Sequence, residues 1–255
     1  MRIFNRLFFS VALLAMVSCK KDEEPNSNSN NNNNSGSGGL SASAHSCGES
    51  NVHNGSVPYG TLTDQDGNTY KTVVIGDQKW MAENLKTSKY RNGDAILTGL
   101  SVDEWWEPSG GAWCYYGDNS EYSCPYGKLY NWGVVEDPRN VCPSGWHVPT
   151  EQEWTDLFAE VGGESIAGTA LTSKSDEWFN VDGMTNSAGF SALPGGYRDG
   201  SGMLGFILEG FNASFWTSTF SDPWYAVAVN LDGTADVDFR ETFPEDGCSI
   251  RCVED

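Results

Sequence analysis

One short stretch of the sequence indicates where a helix begins: Trp146-His147-Val148-Pro149-Thr150-Glu151-Gln152-Glu153-Trp154. Thr150 and Glu153 have the spacing of a capping box, in which each side chain accepts a hydrogen bond from the other residue's backbone N–H. The apolar residues that follow recur at the spacing of one helix face and stop before two glycines. They are Trp154, Leu157, Phe158 and Val161, with Gly162 and Gly163 after them.

Upstream of this helix, a turn signal between two extended runs predicts a hairpin. Asp66-Gly67 favours the positive φ angles of a tight turn, and residues 60–64 and 69–75 flank it as strands. Asp64, Asp66 and Asn68 also match the start of a calcium-binding loop. Position twelve of such a loop requires Glu, however, and Ile75 stands there. We therefore expect a turn and not a calcium site.

The remaining elements are predicted to be short. Leu129 and Trp132, three residues apart, indicate a second helix over residues 126–135. Beyond Gly163 the chain is rich in glycine and loops, with strand-like pieces at 189–193, 215–218, 226–229 and 249–253. One hairpin, two helices, long loops and short antiparallel strands predict an α+β domain.

Several motifs, in a fixed order over nearly all of residues 57–255, carry a family resemblance. Besides the stretch around Thr150 they are 66–73, 80–85 (Trp80-Met81-Ala82-Glu83-Asn84-Leu85), 126–132, 142–147, 193–198 (Leu193-Pro194-Gly195-Gly196-Tyr197-Arg198), 215–219 and 250–253. This part of the chain resembles the Fibrobacter-type major paralogous domain (FISUMP), common in surface lipoproteins of Bacteroidetes and Fibrobacteres. That family is in turn similar to the formylglycine-generating group, so the resemblance implies a C-type-lectin-like fold. Five tryptophans within the motifs are expected in the core: Trp80, Trp132, Trp146, Trp154 and Trp216.

The first eighteen residues have the organisation of an export signal. Two arginines precede an apolar run, residues 7–17, that is too short to span a bilayer. Met16-Val17-Ser18-Cys19 resembles a lipobox, which implies cleavage before Cys19 and lipid on its thiol. The alternative is an ordinary signal peptide followed by a chance cysteine.

The next segment, residues 19–56, is predicted to be a lipidated tether. A basic-then-acidic cluster, residues 20–24, resembles the signal that sends Bacteroidetes lipoproteins to the outer face of the outer membrane; a solvated charge run is the alternative. Residues 26–39 are almost only Asn, Ser and Gly, which cannot bury enough apolar surface to fold. We therefore expect a domain at residues 57–255 that is lifted clear of the membrane surface.

The charge balance excludes some partners. The chain has 15 basic and 35 acidic residues, and removing Arg2 and Arg6 with the signal leaves 13 − 35 = −22. Nucleic acid and anionic lipid surfaces both require a basic footprint on the protein. We therefore expect no nucleic-acid partner, and membrane attachment only through the lipid anchor.

Cysteine usage predicts disulfides. Apart from Cys19 there are six cysteines, an even number in an exported chain, which allows fifteen pairings. We expect Cys114–Cys124 to close a local loop and Cys142–Cys252 to tie the middle of the domain to its last strand, which leaves Cys47–Cys248 by elimination. The spacings do not supply the ligand pairs of a zinc site.

No catalytic constellation is evident, and we predict that the protein is not an enzyme. Formylglycine-generating enzymes use a cysteine pair, but Cys248 and Cys252 lie on the final strand, where the family carries a structural Arg-Cys motif. Of the three histidines, His45 and His53 lie in or near the tether, and His147 at the start of a helix favours a structural hydrogen bond.

A calcium-bridged sugar site of the lectin type is not predicted. Glu24-Pro25-Asn26 spells one lectin motif but lies in the tether, and no Trp-Asn-Asp occurs. Asp232, Asp236 and Asp238 are a candidate set for a structural calcium ion, the one cofactor left open. The alternative there is a hairpin turn at Asp232-Gly233 with a solvated strand face.

Exposed aromatic residues are the remaining candidates for ligand binding, since such rings stack on sugars or anchor protein contacts. The candidates are Trp105 and Trp106 in a polar loop, Trp224 and Tyr225 at the start of a strand, and the neighbouring Arg198 and Asp199. They support a surface binding or adhesion module for glycan or protein. The alternatives are rings that only cover loops, a structural envelope protein, and an enzyme of the formylglycine-generating fold group.

Overall fold

The computed structural model describes residues 41–222 and 224–255. The predicted export signal (residues 1–18), Cys19, Glu24-Pro25-Asn26 and the tether up to residue 40 lie outside the described residues. Among the helices that are described, none is long and apolar enough to cross a membrane.

Strands outnumber helices in the described chain, and most elements are short. The strands are β1 (Gly60–Thr63), β2 (Thr69–Ile75), β3 (Gln78–Met81), β4 (Trp113–Cys114), β5 (Leu129–Tyr130), β6 (Trp146–His147), β7 (Gly195–Arg198), β8 (Phe206–Glu209), β9 (Ala213–Asp222), β10 (Tyr225–Leu231), β11 (Val237–Thr242) and β12 (Val253–Glu254). The helices are α1 (Val102–Trp106), α2 (Ser123–Tyr126), α3 (Trp132–Val135), α4 (Glu151–Glu160) and α5 (Glu164–Leu171).

The first sheet has the order β1-β2-β3-β12-β6 and contains the predicted hairpin. Its β1–β2 turn has Gly67 at φ 84°, and Asp64 Oδ1 accepts the backbone N–H groups of Asp66 and Asn68, both at 2.9 Å. These hydrogen bonds fix the turn and confirm the prediction of a hairpin here.

The second sheet has the order β11-β10-β9-β7-β8. Its inner strand β10 is buried along almost its whole length, which explains why residues 225–229 are a continuous apolar run and not an alternating one. The β9–β10 and β10–β11 pairs are antiparallel, whereas β7 and β9 are parallel. A separate β4–β5 pair lies outside both sheets.

The predicted helix at Thr150 is confirmed as α4, with both hydrogen bonds of the capping box present. Its apolar face packs on the core, where the Trp154 ring lies 4.8 Å from that of Trp80. The other three tryptophans expected in the core are buried as well: Trp132, Trp146 and Trp216.

The expected α+β, C-type-lectin-like fold is wrong, because the chain is mostly β with few, short helices. The helix predicted over residues 126–135 is divided among the end of α2, strand β5 and α3. Gly127, with φ 75°, breaks any helix there. Tyr130 is drawn into extended pairing with Trp113 on one side and Cys248 on the other.

The packed chain begins well before Val57, the expected start of the domain. Ala44, His45, Val52 and His53 are all buried, although sequence analysis places them in the tether. We call residues 41–56 the N-terminal strap, because Cys47 within it is disulfide-bonded to Cys124.

Two disulfides are present among the described residues, and only one matches the expected set. Cys142–Cys252 is confirmed. The pairings Cys114–Cys124 and Cys47–Cys248 are wrong, because Cys47 joins Cys124 and leaves Cys114 and Cys248 as buried free thiols. Cys114 lies on β4 and faces a small apolar cluster with Trp105, so it is not available to a partner in the following loop.

Candidate functional site

Exposed aromatic side chains gather where β9, β10 and β11 approach one another. Trp224 is 73% exposed, and both Phe220 and Phe243 are more than 40% exposed. The Tyr225 ring lies 5.3 Å from the Phe243 ring. We call these four residues the hairpin-tip surface.

Local hydrogen bonds hold the hairpin-tip surface in place. Asp222 Oδ1 accepts the backbone N–H groups of Trp224 at 2.7 Å and of Tyr225 at 3.1 Å, as Asp commonly does in turns. The Phe220 ring packs edge-on against the buried Trp132 at 4.7 Å. Asp222 therefore holds the backbone of the predicted pair Trp224 and Tyr225, and Phe220 and Phe243 are members of this surface that the sequence did not indicate.

The other predicted aromatic pair is divided by burial. Trp105 was expected to be exposed in a loop, but this is wrong: Ser101 caps helix α1, which turns the Trp105 ring inward. Its Nε1 donates to the carbonyl of Glu245 at 2.7 Å. Trp106, the next residue, is 42% exposed on the same helix.

Arg198 and Asp199 have different roles. Arg198 is 5% exposed, and its guanidinium lies 4.1 Å from the centre of the Trp105 ring. Asp199 instead closes the β7–β8 loop, where its Oδ2 accepts Ser201 Oγ at 2.6 Å and the Leu204 N–H at 3.0 Å. The structure thus brings Arg198 and Trp105 together and leaves Asp199 as a turn residue.

An open cleft of about 330 Å³ lies beside this pair. We call it the Arg198 cleft, because Asp118 in its wall lies 3.6 Å from the Arg198 guanidinium; Arg198 itself is not one of the lining residues. Trp113 and Tyr115 stand two residues apart in an extended segment, so both point to one side, with rings 5.2 Å apart. The two-residue spacing of Trp113 and Tyr115 in the sequence could have predicted that their rings share one side of the chain. The lining residues are Thr98, Gly99, Leu100, Trp113, Cys114, Tyr115 and Asp118.

A buried polar cluster joins the N-terminal strap to the domain. His53 Nε2 lies 3.0 Å from Glu83 Oε1, and His53 Nδ1 lies 3.0 Å from Ser191 Oγ. Glu83 also accepts the Ser46 N–H at 2.7 Å, and His45 Nε2 lies 3.8 Å from its second oxygen. We call His45, His53, Glu83 and Ser191 the buried histidine network.

The ionisation of this network follows from its burial. Burial lowers the pKa of His45 to about 3 and also lowers the pKa of His53. Burial alone would raise the pKa of Glu83, but the hydrogen bonds from His53 and Ser46, together with the nearby imidazoles, lower it to about 2. The network therefore holds two neutral histidines around one carboxylate at neutral pH.

Ser191, His53 and Glu83 have the hydrogen-bond order of a hydrolase triad, and Ser191 has a positive φ of 60°. The surrounding contacts differ from those of such a site. Ser191 is fully buried, its N–H donates to Asn186 Oδ1, and the next N–H, of Ala192, donates to the carbonyl of Leu171. Both backbone donors that could stabilise an oxyanion are therefore engaged.

The two free thiols are also enclosed. Burial raises the pKa of Cys114 to about 12 and raises that of Cys248 as well. Since the thiolate is the reactive form of cysteine, burial disfavours reaction of either group in the folded protein. His147 makes the structural contacts expected of it, with Nδ1 2.7 Å from Asp255 and Nε2 2.8 Å from Glu153.

The three aspartates considered for calcium do not form a cluster among the described residues. Asp232 accepts both the N–H and the hydroxyl of Thr234 in the β10–β11 turn, and no carboxylate triplet that includes Asp236 or Asp238 converges in the described chain. The set that does converge there is His45, Cys47 and Cys124. Its two sulfurs are bonded to each other, and His45 Nδ1 already accepts the Cys47 N–H at 3.2 Å. This donor set therefore does not fit a metal ion.

Comparison with known proteins places the chain in a family. The model of the Fibrobacter succinogenes major domain matches residues 73–254, which include the whole second sheet, the hairpin-tip surface and the Arg198 cleft, and the first sheet from within β2 onward. No curated protein and no solved structure matches. The implied similarity to the formylglycine-generating and C-type-lectin-like group is not confirmed. The chain belongs to the Fibrobacter succinogenes major domain family.

Proposed function

We propose that this protein is a non-catalytic binding module, lipid-anchored at the outer membrane through Cys19, which binds glycan on the hairpin-tip surface. The observation that carries the proposal is the exposure of Trp224, at 73% of its surface, on a turn fixed by Asp222. Single exposed rings are common on protein surfaces, but exposed apolar side chains grouped in one patch mark interaction sites.

The surroundings of the ring favour sugar as the ligand. The faces of Trp224, Phe220 and Phe243 offer apolar area for the C–H faces of a sugar ring. Polar side chains lie beside them, since Ser221 Oγ donates to the carboxylate of Glu241 in the same part of the sheet. Such groups can accept hydrogen bonds from sugar hydroxyls or donate hydrogen bonds to them, and these bonds fix the orientation of the sugar.

The burial of the nucleophilic side chains supports a non-catalytic role. The Ser191 hydroxyl and the Cys114 and Cys248 thiols are buried, and burial holds both thiols protonated. The polar tether and the lipobox at Cys19 support display outside the cell. The net negative charge argues against nucleic acid as a partner.

A glycan array tests the proposal, using the purified full-length protein with its disulfides formed, with and without calcium. We expect binding that Trp224→Ala abolishes and Phe179→Ala leaves unchanged, because Phe179 is equally exposed, at 75%, on another surface. If both variants lose glycan binding, the hairpin-tip surface is rejected as the site. Absence of binding to every glycan would reject sugar as the ligand, and cross-linking on whole cells would then identify a protein partner.

A further inference from the structure

The N-terminal strap is attached to the domain by a small number of contacts. Val52 is buried in a small apolar cluster with Tyr126 and Leu193. The Cys47–Cys124 disulfide links the strap covalently, and Cys47 itself is exposed. The buried histidine network adds hydrogen bonds to the carboxylate that follows β3. The strap can therefore separate locally from the domain if this network loses its hydrogen bonds.

The hydrogen bonds of His45 define its tautomer. Its Nδ1 accepts the backbone N–H of Cys47 at 3.2 Å. A ring nitrogen that accepts a hydrogen bond carries no proton, so the proton of the neutral ring is on Nε2. Nε2 lies 3.8 Å from Glu83 Oε2, and neither atom has a hydrogen-bond partner among the described residues. A proton taken up from acid solution therefore has to bind at Nδ1.

Protonation of His45 at Nδ1 would bring two donors face to face. The new N–H would point at the Cys47 N–H, and the hydrogen bond between them would be lost. The same short turn is closed by the Gly48 N–H, which donates to the His45 carbonyl at 2.9 Å, and by the His45 N–H, which donates to the Glu49 carbonyl at 2.7 Å. A charge on His45 therefore destabilises the turn in which Cys47 lies.

The surroundings of His45 disfavour a positive charge. Burial is the main reason that the pKa of His45 is lowered, and attraction by the Glu83 carboxylate only partly offsets it. Glu83 already accepts the Ser46 N–H and a hydrogen bond from the second imidazole. The other groups near the ring that carry or can take up positive charge are His53, Lys86 and Arg251.

His53 differs from His45, because both of its ring nitrogens face oxygen atoms. Its Nε2 lies 3.0 Å from Glu83 Oε1, and its Nδ1 lies 3.0 Å from Ser191 Oγ. The Ser191 hydroxyl can donate to the Gly189 carbonyl, at 3.2 Å, and so accept an N–H from a protonated ring. His53 therefore keeps its hydrogen bonds on protonation, whereas His45 loses one. The further charged groups near His53 are Lys71 and Arg251.

We propose that uptake of one proton by His45 Nδ1 detaches the N-terminal strap from the domain, while the Cys47–Cys124 disulfide keeps the detached strap close by. His45 is then an acid sensor, and its contact with Cys47 is the bond that responds. The second sheet stays folded, and a return to neutral pH restores the hydrogen bond and reattaches the strap. This inference does not rest on glycan binding at the hairpin-tip surface.

Hydrogen exchange measured by mass spectrometry tests the proposal on the purified full-length protein with its disulfides formed. With a pKa of about 3 when the strap is attached and 6.5 when it is free, His45 should make detachment about twentyfold more favourable at pH 5 than at pH 7. After correction for intrinsic exchange rates, the protection of residues 43–56 should fall by about that factor and recover at pH 7.

Strand β10 is the internal reference for this measurement, because it exchanges only when the second sheet opens. It should remain at least about tenfold better protected than the strap at both pH values. A strap that exchanges no faster than β10 would show that detachment requires unfolding of the whole domain, which would overturn the proposal. A loss of protection in the strap of less than about threefold would overturn it as well.

Two variants identify the sensor. In His45→Asn, the side-chain oxygen can accept the Cys47 N–H in place of Nδ1 but does not take up a proton, so the response of the strap to pH should be largely lost. His53→Gln is the matched control, since its amide can still donate to Glu83, and the response should remain about twentyfold. A full response in His45→Asn, or its loss in His53→Gln, would overturn the assignment of His45 as the sensor.

The tautomer of His45 can be measured without changing His45. Nitrogen-15 NMR of the histidine rings at pH 7 should show its proton on Nε2 and none on Nδ1. The chain has three histidines, so His53→Gln and His147→Gln identify the other two signals and leave that of His45. A proton on Nδ1 at pH 7 would overturn the proposal even if His45→Asn fails to fold.

Discussion

The imidazole of His53 and the carboxylate of Glu83 are hydrogen-bonded at 3.0 Å, and both side chains are fully enclosed. This pair joins the N-terminal strap to the segment after β3. The strap has few apolar residues of its own, so its attachment depends on this polar contact together with the Cys47–Cys124 disulfide.

Replacing Glu83 by Ala should therefore loosen the strap. The His53 ring and the Ser46 N–H would lose their acceptor, and buried donors left unpaired cost on the order of 1–3 kcal/mol each. We expect the free energy of unfolding to fall by about 3 kcal/mol in urea denaturation. Hydrogen exchange should become faster in residues 43–56. Glu49→Gln, an exposed carboxylate in the same strap, is the control and should change stability by less than about 0.5 kcal/mol.

Stability should fall as the pH is lowered from 7 to 5. Burial lowers the folded-state pKa of His45 and His53 below the unfolded value of 6.5, so the unfolded chain takes up more protons in this range. For His45, with a folded pKa of about 3, the loss amounts to about 2 kcal/mol. Unfolding in urea at a series of pH values measures it.

The contribution of His147 to stability should change with pH in the opposite direction, so His147 serves as the control. Burial would lower its pKa, but the hydrogen bonds with Asp255 and Glu153 outweigh this and raise it. His147 therefore contributes stability that is complete below 6.5 and is lost as the pH rises through its folded pKa. In the double variant His45→Gln/His53→Gln, the free energy of unfolding should fall less between pH 7 and pH 5 than in the unchanged protein. In His147→Gln it should fall more. A steeper loss in the double variant would contradict the assignment.

Disulfide mapping by mass spectrometry should find Cys47 linked to Cys124 and Cys142 linked to Cys252. Cys114 and Cys248 should react with an alkylating reagent only after unfolding, because both are buried and burial raises their pKa. A peptide that links Cys114 to Cys124 would contradict the structure, as would alkylation of either thiol in the native protein.

Lipid attachment should depend on Cys19. In cells labelled with a tritiated fatty acid, the protein should carry label and fractionate with the outer membrane, because two or more acyl chains give stable anchoring. Cys19→Ala should abolish the label and release the protein from the membrane fraction. Cys114→Ala is the matched control, since its buried thiol is not at a processing site. Retention of the label in Cys19→Ala would reject the lipobox.

Local signals in the sequence predicted local structure well. The Thr150–Glu153 capping box and the Asp66-Gly67 turn each act within a few residues, and both elements form as expected. Tyr225 is the first residue of β10, as expected from the apolar run that follows it, whereas Trp224 lies in a turn directly before the strand.

Contacts between residues that are far apart in the sequence could not be predicted from local signals. Leu129 and Trp132 have helical spacing, yet Tyr130 between them pairs with Cys248, more than a hundred residues away. The polar composition of residues 41–56 gave no sign of a packed strap, because its attachment uses a disulfide and buried histidines instead of an apolar pattern. Trp105 was misplaced for a related reason: its partner Arg198 comes from a distant strand.

The two disulfides also determine how far the domain can lengthen under mechanical load. Cys47–Cys124 encloses a sequence separation of 77 residues and Cys142–Cys252 one of 110, and the two loops do not overlap. A pull between the two chain ends is carried through the sulfur bridges, so neither loop can be drawn out while its bridge is intact. At about 3.5 Å per residue, the first loop alone withholds roughly 270 Å of extension. A module on a membrane tether would thus transmit tension to its anchor with only the tether, the chain from Cys124 to Cys142 and the three residues after Cys252 free to extend.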